Sequence, residues 1–442
     1  MILTDGNQYF CFYRKYLVVI YILTPGFTQW VHGYSITSVV EDQCRMLSRY
    51  GHDVTVCVSS QFDKSTMPDL GSRVELALVM PVIEKAIDYN DYGLLQRNKQ
   101  HMEAANELAR FLGSLSERDV LLSHDIVFTG WNLPFFQGLL QSGIRCQCYH
   151  WIHSVALHRF NWWNLPALGD NHKLVIPNRA YRQLTAEVYH TTIENVIYIP
   201  HIRDIRSFLH LGRETCDFID DYPLALQADI VQVYPASSDR FQYKGLRDLI
   251  YLFREFKVLG YSVCLIIANQ WATGRQPRED LLDYQDTAAN NKLSPSEFIF
   301  TSEWRKPRYE TGISQQFLRD LMSLSNVFIF PTFSESFGLV LPEAILSGSV
   351  LPVINSDLEV MFELLENRGM RFGFGSWQHK LEENHSRDWY AAVAAAISKR
   401  MYDEESVASR SIVRQQYNMD TIYCKFYASI VRSLDGGGEI NG

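Results

Sequence analysis

Short apolar runs alternate with amphipathic stretches along most of this chain. The apolar runs are rich in valine, isoleucine, leucine and phenylalanine, which is typical of buried parallel strands. The stretches between them have apolar residues at helical spacing, and glycine or proline separates the two kinds of segment. This regular alternation predicts an α/β fold with parallel sheets. Strands are predicted at residues 16–23, 51–58, 74–78, 119–122, 144–150, 174–178, 196–200, 230–234, 260–269, 298–300, 327–330 and 350–354.

The strands form two series, and a chain of 442 residues is too long for a single hydrophobic core. We therefore predict two Rossmann-like, doubly wound domains at residues 1–205 and 229–415. The charged stretch at residues 206–228 is predicted to be a solvated linker between them. Residues 416–434 are predicted to be a C-terminal helix, and residues 435–442 a disordered tail.

Composition fits a globular protein, with 47% hydrophobic and 21% charged residues. The net charge of −9 argues against a strongly basic nucleic-acid surface. The eight cysteines are scattered without a Cys-x-x-Cys pair, which favours buried free thiols in a reducing compartment and thus a cytoplasmic protein. The first apolar run follows Arg14 and Lys15 as in a signal peptide, but it is short, carries two tyrosines and has no clear cleavage site, so we predict a strand there. No later segment reaches the roughly 18 uncharged apolar residues that a membrane helix needs.

The segment at residues 326–363 contains the clearest candidate chemistry. A buried strand ends at Pro331, and a polar loop then leads into a helix that begins near Val340. Unpaired N–H groups around Gly338 would point at the space beyond the carboxyl end of the strand, where they could bind a phosphate. Glu335 and Glu343 would repel an anion unless they bind hydroxyl groups of the same ligand. A sugar nucleotide satisfies both requirements.

This order of residues resembles the signature of the retaining family 4 glycosyltransferases of the GT-B fold. The resemblance implies that Glu335 contacts hydroxyls of the donor sugar and that Glu343 holds the nucleotide ribose. It also implies that the backbone amides of Phe337, Gly338 and Leu339 touch the diphosphate or the sugar. An ordinary βαβ unit with two surface acids remains the alternative.

Two further loops match the same family in part. The loop after the strand at 230–234 would supply Arg240, Lys244 and Gly245 to grip the diphosphate, although the two cations are four residues apart where the family usually has five. The loop before the first helix would bring Gly33 near the donor phosphate and the acceptor. The usual adjacent pair of glycines is replaced there by Trp30 and its neighbours. Solvent-facing cations and a plain connecting loop are the alternatives.

A histidine that follows the strand at 144–150 would lie against the reacting face of the donor sugar in this family. His153 is the better match and His150 the second. A neutral imidazole could hydrogen-bond a sugar hydroxyl or pass on the acceptor's proton. Two histidines three residues apart also suggest a metal pair, but no third ligand follows at usable spacing, so no metal is expected. Packing histidines are the remaining alternative.

The resemblance implies two domains that face a cleft, with the C-terminal helix crossing back to the N-terminal domain. The expected reaction is transfer of a sugar from a UDP- or GDP-sugar to a hydroxyl acceptor, with retention and without a metal or other cofactor. His153, Glu335, Arg240 and Lys244 are the candidate catalytic residues. A glycan, lipid, protein, small molecule or modified nucleic-acid base could be the acceptor, and peripheral contact with a membrane stays open. The alternatives are a sugar-nucleotide epimerase and a non-catalytic nucleotide-sugar-binding subunit.

Overall fold

The structure is a computed structural model, and it describes residues 18–82, 99–127, 133–153, 168–270, 278–366, 368–376 and 385–432. The chain divides into two compact units. Unit 1 comprises Met1–Asp204 and Tyr417–Gly442, and unit 2 comprises Ile205–Gln416. Both units are built on parallel strands with helices between them, which confirms the predicted α/β class. The tail predicted to be disordered, residues 435–442, lies outside the described residues.

Unit 1 contains, within the described residues, a seven-stranded parallel sheet in the order β3-β2-β1-β4-β5-β6-β7. Because the strand order reverses between β1 and β4, the carboxyl ends of these two strands flank the position where such sheets bind ligands. The elements are β1 (Val19–Leu23), α1 (Ser35–Arg49), β2 (Asp53–Ser59), β3 (Val74–Met80), α2 (Lys99–Gly113), β4 (Val120–His124), α3 (Leu133–Gln141), β5 (Gln147–Trp151), β6 (His172–Ile176), α4 (Arg182–Val188) and β7 (Val196–Tyr198).

Both faces of this sheet are covered, which is why its strands are apolar on both sides. On one face, buried residues such as Leu121 pack against α2 and α3. On the other face, residues such as Ile22 pack against α1 and against the last part of the chain. This doubly wound arrangement was predicted from the strand pattern.

The last part of the chain packs on unit 1. This C-terminal segment consists of helix Met419–Ile422, a π-helical turn at Tyr423–Tyr427 and helix Ala428–Arg432. The ring of Tyr423 stacks on that of Tyr50 at a centroid distance of 3.7 Å, and its hydroxyl lies 2.7 Å from Nε2 of His52. The predicted return of the C-terminal helix to the N-terminal domain is therefore confirmed, although the helix is divided into short pieces.

Unit 2 contains two three-stranded parallel sheets in the described residues, β10-β9-β8 and β11-β12-β13. Its elements are α5 (Ile205–Phe208), α6 (Arg213–Asp221), α7 (Leu224–Gln227), β8 (Ile230–Ser237), α8 (Leu246–Val258), β9 (Val263–Gln270), α9 (Arg278–Asn290), β10 (Phe298–Phe300), α10 (Gln315–Met322), β11 (Val327–Phe330), α11 (Val340–Ser347), β12 (Leu351–Asn355), α12 (Glu359–Leu365), β13 (Met370–Phe372), α13 (Arg387–Asp403) and α14 (Glu405–Gln416).

Side chains join these two sheets between β8 and β11. The amide of Gln232, which is fully buried on β8, donates to the carbonyl of Ile329 at 2.8 Å and accepts from the N–H of Ile329 at 3.0 Å. The Ser325 hydroxyl accepts from the N–H of Val233 at 3.0 Å. The spatial order of the six strands is therefore that of the first six strands of unit 1. One backbone hydrogen bond, from the N–H of Asn326 to the carbonyl of Val231 at 3.1 Å, and these side-chain bonds stand in place of a continuous backbone ladder.

The prediction of a solvated linker at residues 206–228 is wrong. Most of this segment is helical, and the side chain of Phe218 on α6 is fully buried in the core of unit 2. The acidic residues that suggested solvent exposure pair with a nearby arginine, since Arg305 contacts Asp217 at 2.8 Å and Asp221 at 3.2 Å. The charges lie on the outer side of an amphipathic helix whose inner side is apolar.

Two helices of unit 2 begin in different ways. The helix before β11 begins at Gln315, because Ser314 caps it by accepting from the N–H of Phe317. Helix α9 has only a weak apolar pattern. In the described residues, no helix is both long enough and apolar enough to cross a membrane.

Candidate functional site

The loop between β8 and α8 carries two of the predicted phosphate-binding residues of unit 2, Lys244 and Gly245. Gly245 has a left-handed φ of +67°, and a Cβ atom there would lie 2.5 Å from the carbonyl oxygen of Pro331. Only glycine fits this position, because any side chain would clash with the residue that ends β11. The close approach brings Lys244 to the carboxyl end of β11, where the second predicted loop begins.

Lys244 and Glu335 form an ion pair between Nζ and Oε1, although they are 91 residues apart in sequence. Each side chain is 15% exposed. The Tyr234 hydroxyl donates to the carbonyl oxygen of Lys244 at 2.7 Å, and the ammonium lies 5.6 Å from the ring centroid of Phe330. Partial burial strengthens the attraction between the two charges relative to a fully solvated pair. An anionic ligand could therefore compete with Glu335 for this cation.

The loop before α11 leaves backbone donors free. Gly338 has a φ of +82°, and an added Cβ would lie 3.2 Å from the Phe330 ring. Among the described residues, no hydrogen-bond acceptor is found for the amides of Gly338, Leu339 and Val340, whereas the N–H of Leu341 already donates to the Gly338 carbonyl at 2.9 Å. These amides lie at the positive end of the α11 dipole. An anion can bind there without displacing any protein group.

The remaining predicted residues of unit 2 are exposed. Phe337 is 51% exposed and Leu339 is 65% exposed, so both are available to a ligand. Glu343 lies on the outer side of the first turn of α11. Arg240 ends a short 3-10 turn after β8, where its carbonyl oxygen accepts from the N–H of Lys244 at 2.9 Å. In the part of the chain that the structure describes, the Arg240 side chain has no ion-pair partner.

Gly33 lies in the β1–α1 loop, at the point where the strand order of unit 1 reverses. Its φ is +80°, and no heavy atom lies within 4 Å of an added Cβ, so the backbone is open on that side. Trp30, in the same loop, is buried, and its indole N–H donates to Glu41 at 2.6 Å. Trp30 thus anchors the loop that exposes Gly33.

His153 follows β5 and belongs to a hydrogen-bonded series of side chains in unit 1. Its Nε2 lies 2.9 Å from Nδ1 of His124, and Nε2 of His124 lies 3.0 Å from Oε1 of Gln43. The Gln43 amide in turn donates to the Tyr427 hydroxyl at 2.6 Å. The ring of His153 also stacks on that of His201 at a centroid distance of 5.1 Å. These contacts hold the His153 ring in one orientation.

Burial keeps this histidine group neutral. Burial, with a smaller effect of His201, lowers the pKa of His153 to about 3. Burial and the charge of Arg203 lower the pKa of His201 to about 4. The pKa of His124 is well below its usual value, chiefly because the ring is completely buried. At neutral pH, His153 is therefore suited to hydrogen bonding with a ligand and is a weak proton acceptor.

His150, the second candidate, lies in a different environment. It is on β5, is 1% exposed, and its two ring nitrogens lie 2.7 Å from the Ser123 hydroxyl and 2.9 Å from Nδ1 of His172. The sequence indicated no third metal ligand near His150 and His153. Strand pairing brings His172 beside His150 and Cys148, a contact that the spacing in the sequence does not indicate.

The structure thus brings Lys244, Gly245, Glu335 and Gly338 together in unit 2, and it places Gly33 and His153 in the loops that follow the carboxyl ends of β1 and β5 in unit 1. Sequence reasoning missed the partners of His153. His124 ends β4 and Gln43 lies on α1, so only the fold reveals their contact. A buried polar residue at the end of an apolar strand, such as His124, was the one available signal.

No protein-family model and no curated protein matches this chain. Several solved structures do. A glycosyltransferase from Rickettsia africae is 12% identical, with 95% of this chain and 99% of that chain covered and a TM-score of 0.35. HepE from Anabaena, solved in complex with UDP, is 13% identical, with 93% and 99% covered and a TM-score of 0.34.

The α,α-trehalose 6-phosphate synthase from Burkholderia multivorans is 12% identical, with 96% of this chain and 100% of that chain covered and a TM-score of 0.34. At these identities and TM-scores, the matches do not identify a function.

Proposed function

We propose that this chain is a GT-B glycosyltransferase that moves a sugar from a UDP- or GDP-sugar to a hydroxyl acceptor. The observation that carries the proposal is the Lys244–Glu335 pair in the same unit as the unpartnered amides at the start of α11. A cation and free N–H groups suit a diphosphate, whereas a carboxylate suits sugar hydroxyls. A nucleotide diphosphate sugar carries both a diphosphate and sugar hydroxyls.

The leaving diphosphate gains negative charge as the bond to the sugar breaks. In our proposal, Lys244, Arg240 and the amides near Gly338 stabilise that charge, so the reaction needs no metal. Glu335 orients the donor sugar through its hydroxyls, and Glu343 holds the nucleotide ribose. The amides of Phe337 and Leu339 contact the diphosphate or the sugar.

We further propose that the configuration at the anomeric carbon is retained. The attack would come from the side of the leaving group on an oxocarbenium-like centre, and the departing phosphate would take the acceptor's proton. His153 would act as a neutral hydrogen-bond partner of a sugar hydroxyl, since its low pKa disfavours a role as the base. Gly33 would let the ligand approach the backbone of unit 1.

The test uses two ion pairs of unit 2, because Lys257 and Glu297 form a pair at 2.7 Å that has no proposed role. Binding of UDP and GDP is measured by calorimetry, and turnover is measured as nucleotide release from sugar donors with a panel of acceptors. Lys244→Ala should weaken nucleotide binding roughly 10- to 100-fold through loss of a charged hydrogen bond. Lys257→Ala should not change it.

Glu335→Gln should bind the nucleotide at least as tightly as the wild type, because a carboxylate that competes for Lys244 is gone. Its turnover should fall about 100-fold, since the sugar loses a charged partner. Glu297→Gln should keep full turnover. Undiminished turnover in Glu335→Gln would refute the role of this residue. Conversion of the donor sugar without any acceptor, seen by NMR, would instead show an epimerase.

A further inference from the structure

Three side chains with metal-binding atoms leave the same face of the unit 1 sheet. Cys148 and His150 are two residues apart on β5, so they point to the same side. His172 is the partner of Cys148 in the parallel register of β5 and β6, so it leaves that side too. The Cys148 sulfur and one ring nitrogen of each histidine all lie within 4.8 Å of one another.

A neighbouring strand orients one of these groups. The hydroxyl of Ser123 on β4 lies 2.7 Å from Nδ1 of His150 and holds this ring, whose Nε2 faces Nδ1 of His172 at 2.9 Å. In the tautomer whose Nδ1 proton is donated to Ser123, His150 offers the lone pair of Nε2. Metal-binding histidines have such a partner on the second ring nitrogen. Ser123 therefore prepares His150 as a ligand.

The donor set selects the class of ion. One thiol and two imidazoles are ligands of zinc-like ions, whereas magnesium and calcium prefer oxygen. A tetrahedral zinc ion holds neighbouring ligand atoms roughly 3.3 to 3.7 Å apart. The distances in this group range from 2.9 Å up to at most 4.8 Å, so rotations of the Cys148 and His172 side chains suffice to surround an ion.

We propose that Cys148, His150 and His172 bind a zinc-class divalent ion that ties β5 to β6, with water in the fourth position. Binding would release the thiol proton of Cys148 to solvent, and the proton of His172 would move from Nδ1 to Nε2. Cys148 is fully buried and His172 is half-buried, so His172 provides the route of entry. This site is separate from the proposed transfer reaction and does not depend on it.

The experiment adds Co²⁺ or Zn²⁺ alone to the metal-free full-length chain. Co²⁺ should bind with a stoichiometry of one and give a thiolate-to-cobalt charge-transfer band with the strong visible bands of a four-coordinate ion. Zn²⁺ should abolish these bands and raise the melting temperature. Cys148→Ser should lose the charge-transfer band, and His172→Gln should bind Co²⁺ at least tenfold more weakly.

Two control variants keep these results specific. Cys57→Ser removes a fully buried thiol on β2, which belongs to the same buried apolar cluster as Cys148. His32→Gln removes an exposed imidazole. Both should retain the wild-type spectrum. A variant that fails to fold is identified by circular dichroism, and the wild-type titration then decides alone. The proposal is overturned if the wild type binds no stoichiometric ion, or if folded Cys148→Ser keeps the charge-transfer band.

Discussion

Gly245 determines the position of Lys244 at the scale of a single residue. A larger residue at this position would have both an unfavourable φ and a clash with Pro331, whose carbonyl oxygen would be 2.5 Å away from the new Cβ. The sequence alone indicated a Lys-Gly pair after a strand. The backbone contact that makes the glycine necessary is visible only in the structure.

We expect Gly245→Ala to destabilise unit 2 by roughly 2–4 kcal/mol, since the strain of a left-handed alanine adds to the clash. Gly260→Ala is the matched control. Gly260 also has a positive φ, +95°, but an added Cβ there meets no atom within 4 Å. Gly260→Ala should therefore lower the free energy of unfolding by only about 1 kcal/mol. Urea unfolding measures both, and equal losses would contradict the proposed clash.

His201 gives a prediction about pH. Burial lowers its pKa to about 4 in the folded state, against about 6.5 in the unfolded chain. Below pH 6.5 the unfolded chain binds a proton that the folded chain does not, so this contribution to stability is present above pH 6.5 and is lost as the pH falls toward 4. Between pH 7 and pH 5, we expect the free energy of unfolding of His201→Gln to fall by about 1–2 kcal/mol less than that of the wild type.

Two buried acids of unit 1 act in the opposite direction. Burial raises the pKa of Asp42 and of Asp125 to about 6, so both stabilise the folded state as the pH falls from 6 toward 4. Both acids reduce the loss of unfolding free energy at low pH, and they do so equally in the wild type and in His201→Gln. The difference in this loss between the two proteins therefore reports the contribution of His201. His32→Gln changes an exposed histidine and should follow the wild type. Identical pH profiles of all three proteins would contradict the prediction.

At the scale of elements, hydrophobic runs predicted the strands well because buried parallel strands have little choice of residue. The junction of β8 and β11 is different. A buried glutamine in an apolar strand gave no clue to its role, yet the Gln232 amide satisfies both backbone groups of Ile329. The segment at residues 206–228 was wrongly predicted to be a linker, because its many charged residues made the apolar face of helix α6 difficult to recognise in the sequence.

Gln232→Leu should therefore destabilise unit 2 by roughly 2–5 kcal/mol, because two buried backbone groups of Ile329 lose their partners. Gln270→Leu, at the exposed end of β9, should cost less than about 0.5 kcal/mol. The measurement is the urea midpoint, with hydrogen exchange at the Ile329 amide as a local reporter. Unchanged protection of that amide in Gln232→Leu would show that the side-chain bridge is dispensable.

At the scale of the whole molecule, the chain returns to unit 1 after completing unit 2. The C-terminal segment covers one face of the unit 1 sheet with Ile422, Tyr423 and Tyr427, which are almost completely buried. Tyr427 also accepts the hydrogen bond from Gln43, so the segment supports the residues that hold His124. The stability of unit 1 therefore depends on the C-terminal segment Met419–Arg432.

Tyr423→Ala should destabilise unit 1 by about 3–5 kcal/mol, as expected for a buried aromatic residue. Tyr423→Phe keeps the stacking on Tyr50 and loses the contact of the hydroxyl with Nε2 of His52, so about 1 kcal/mol is expected. Tyr402→Ala is the control, because this side chain is 82% exposed. Thermal melting compares the three variants, and a Tyr423→Ala protein as stable as Tyr402→Ala would contradict this role.

The sequence by itself determined the α/β class, the succession of strands and helices, and the residues that resemble a nucleotide-sugar site. It could do so because strand burial, glycine conformations and helix starts are local properties of the chain. The tertiary structure alone decided that Lys244 pairs with Glu335, that His153 contacts His124, and that His172 lies beside Cys148 and His150. These contacts depend on strand order and register, which bring together residues that are remote in sequence.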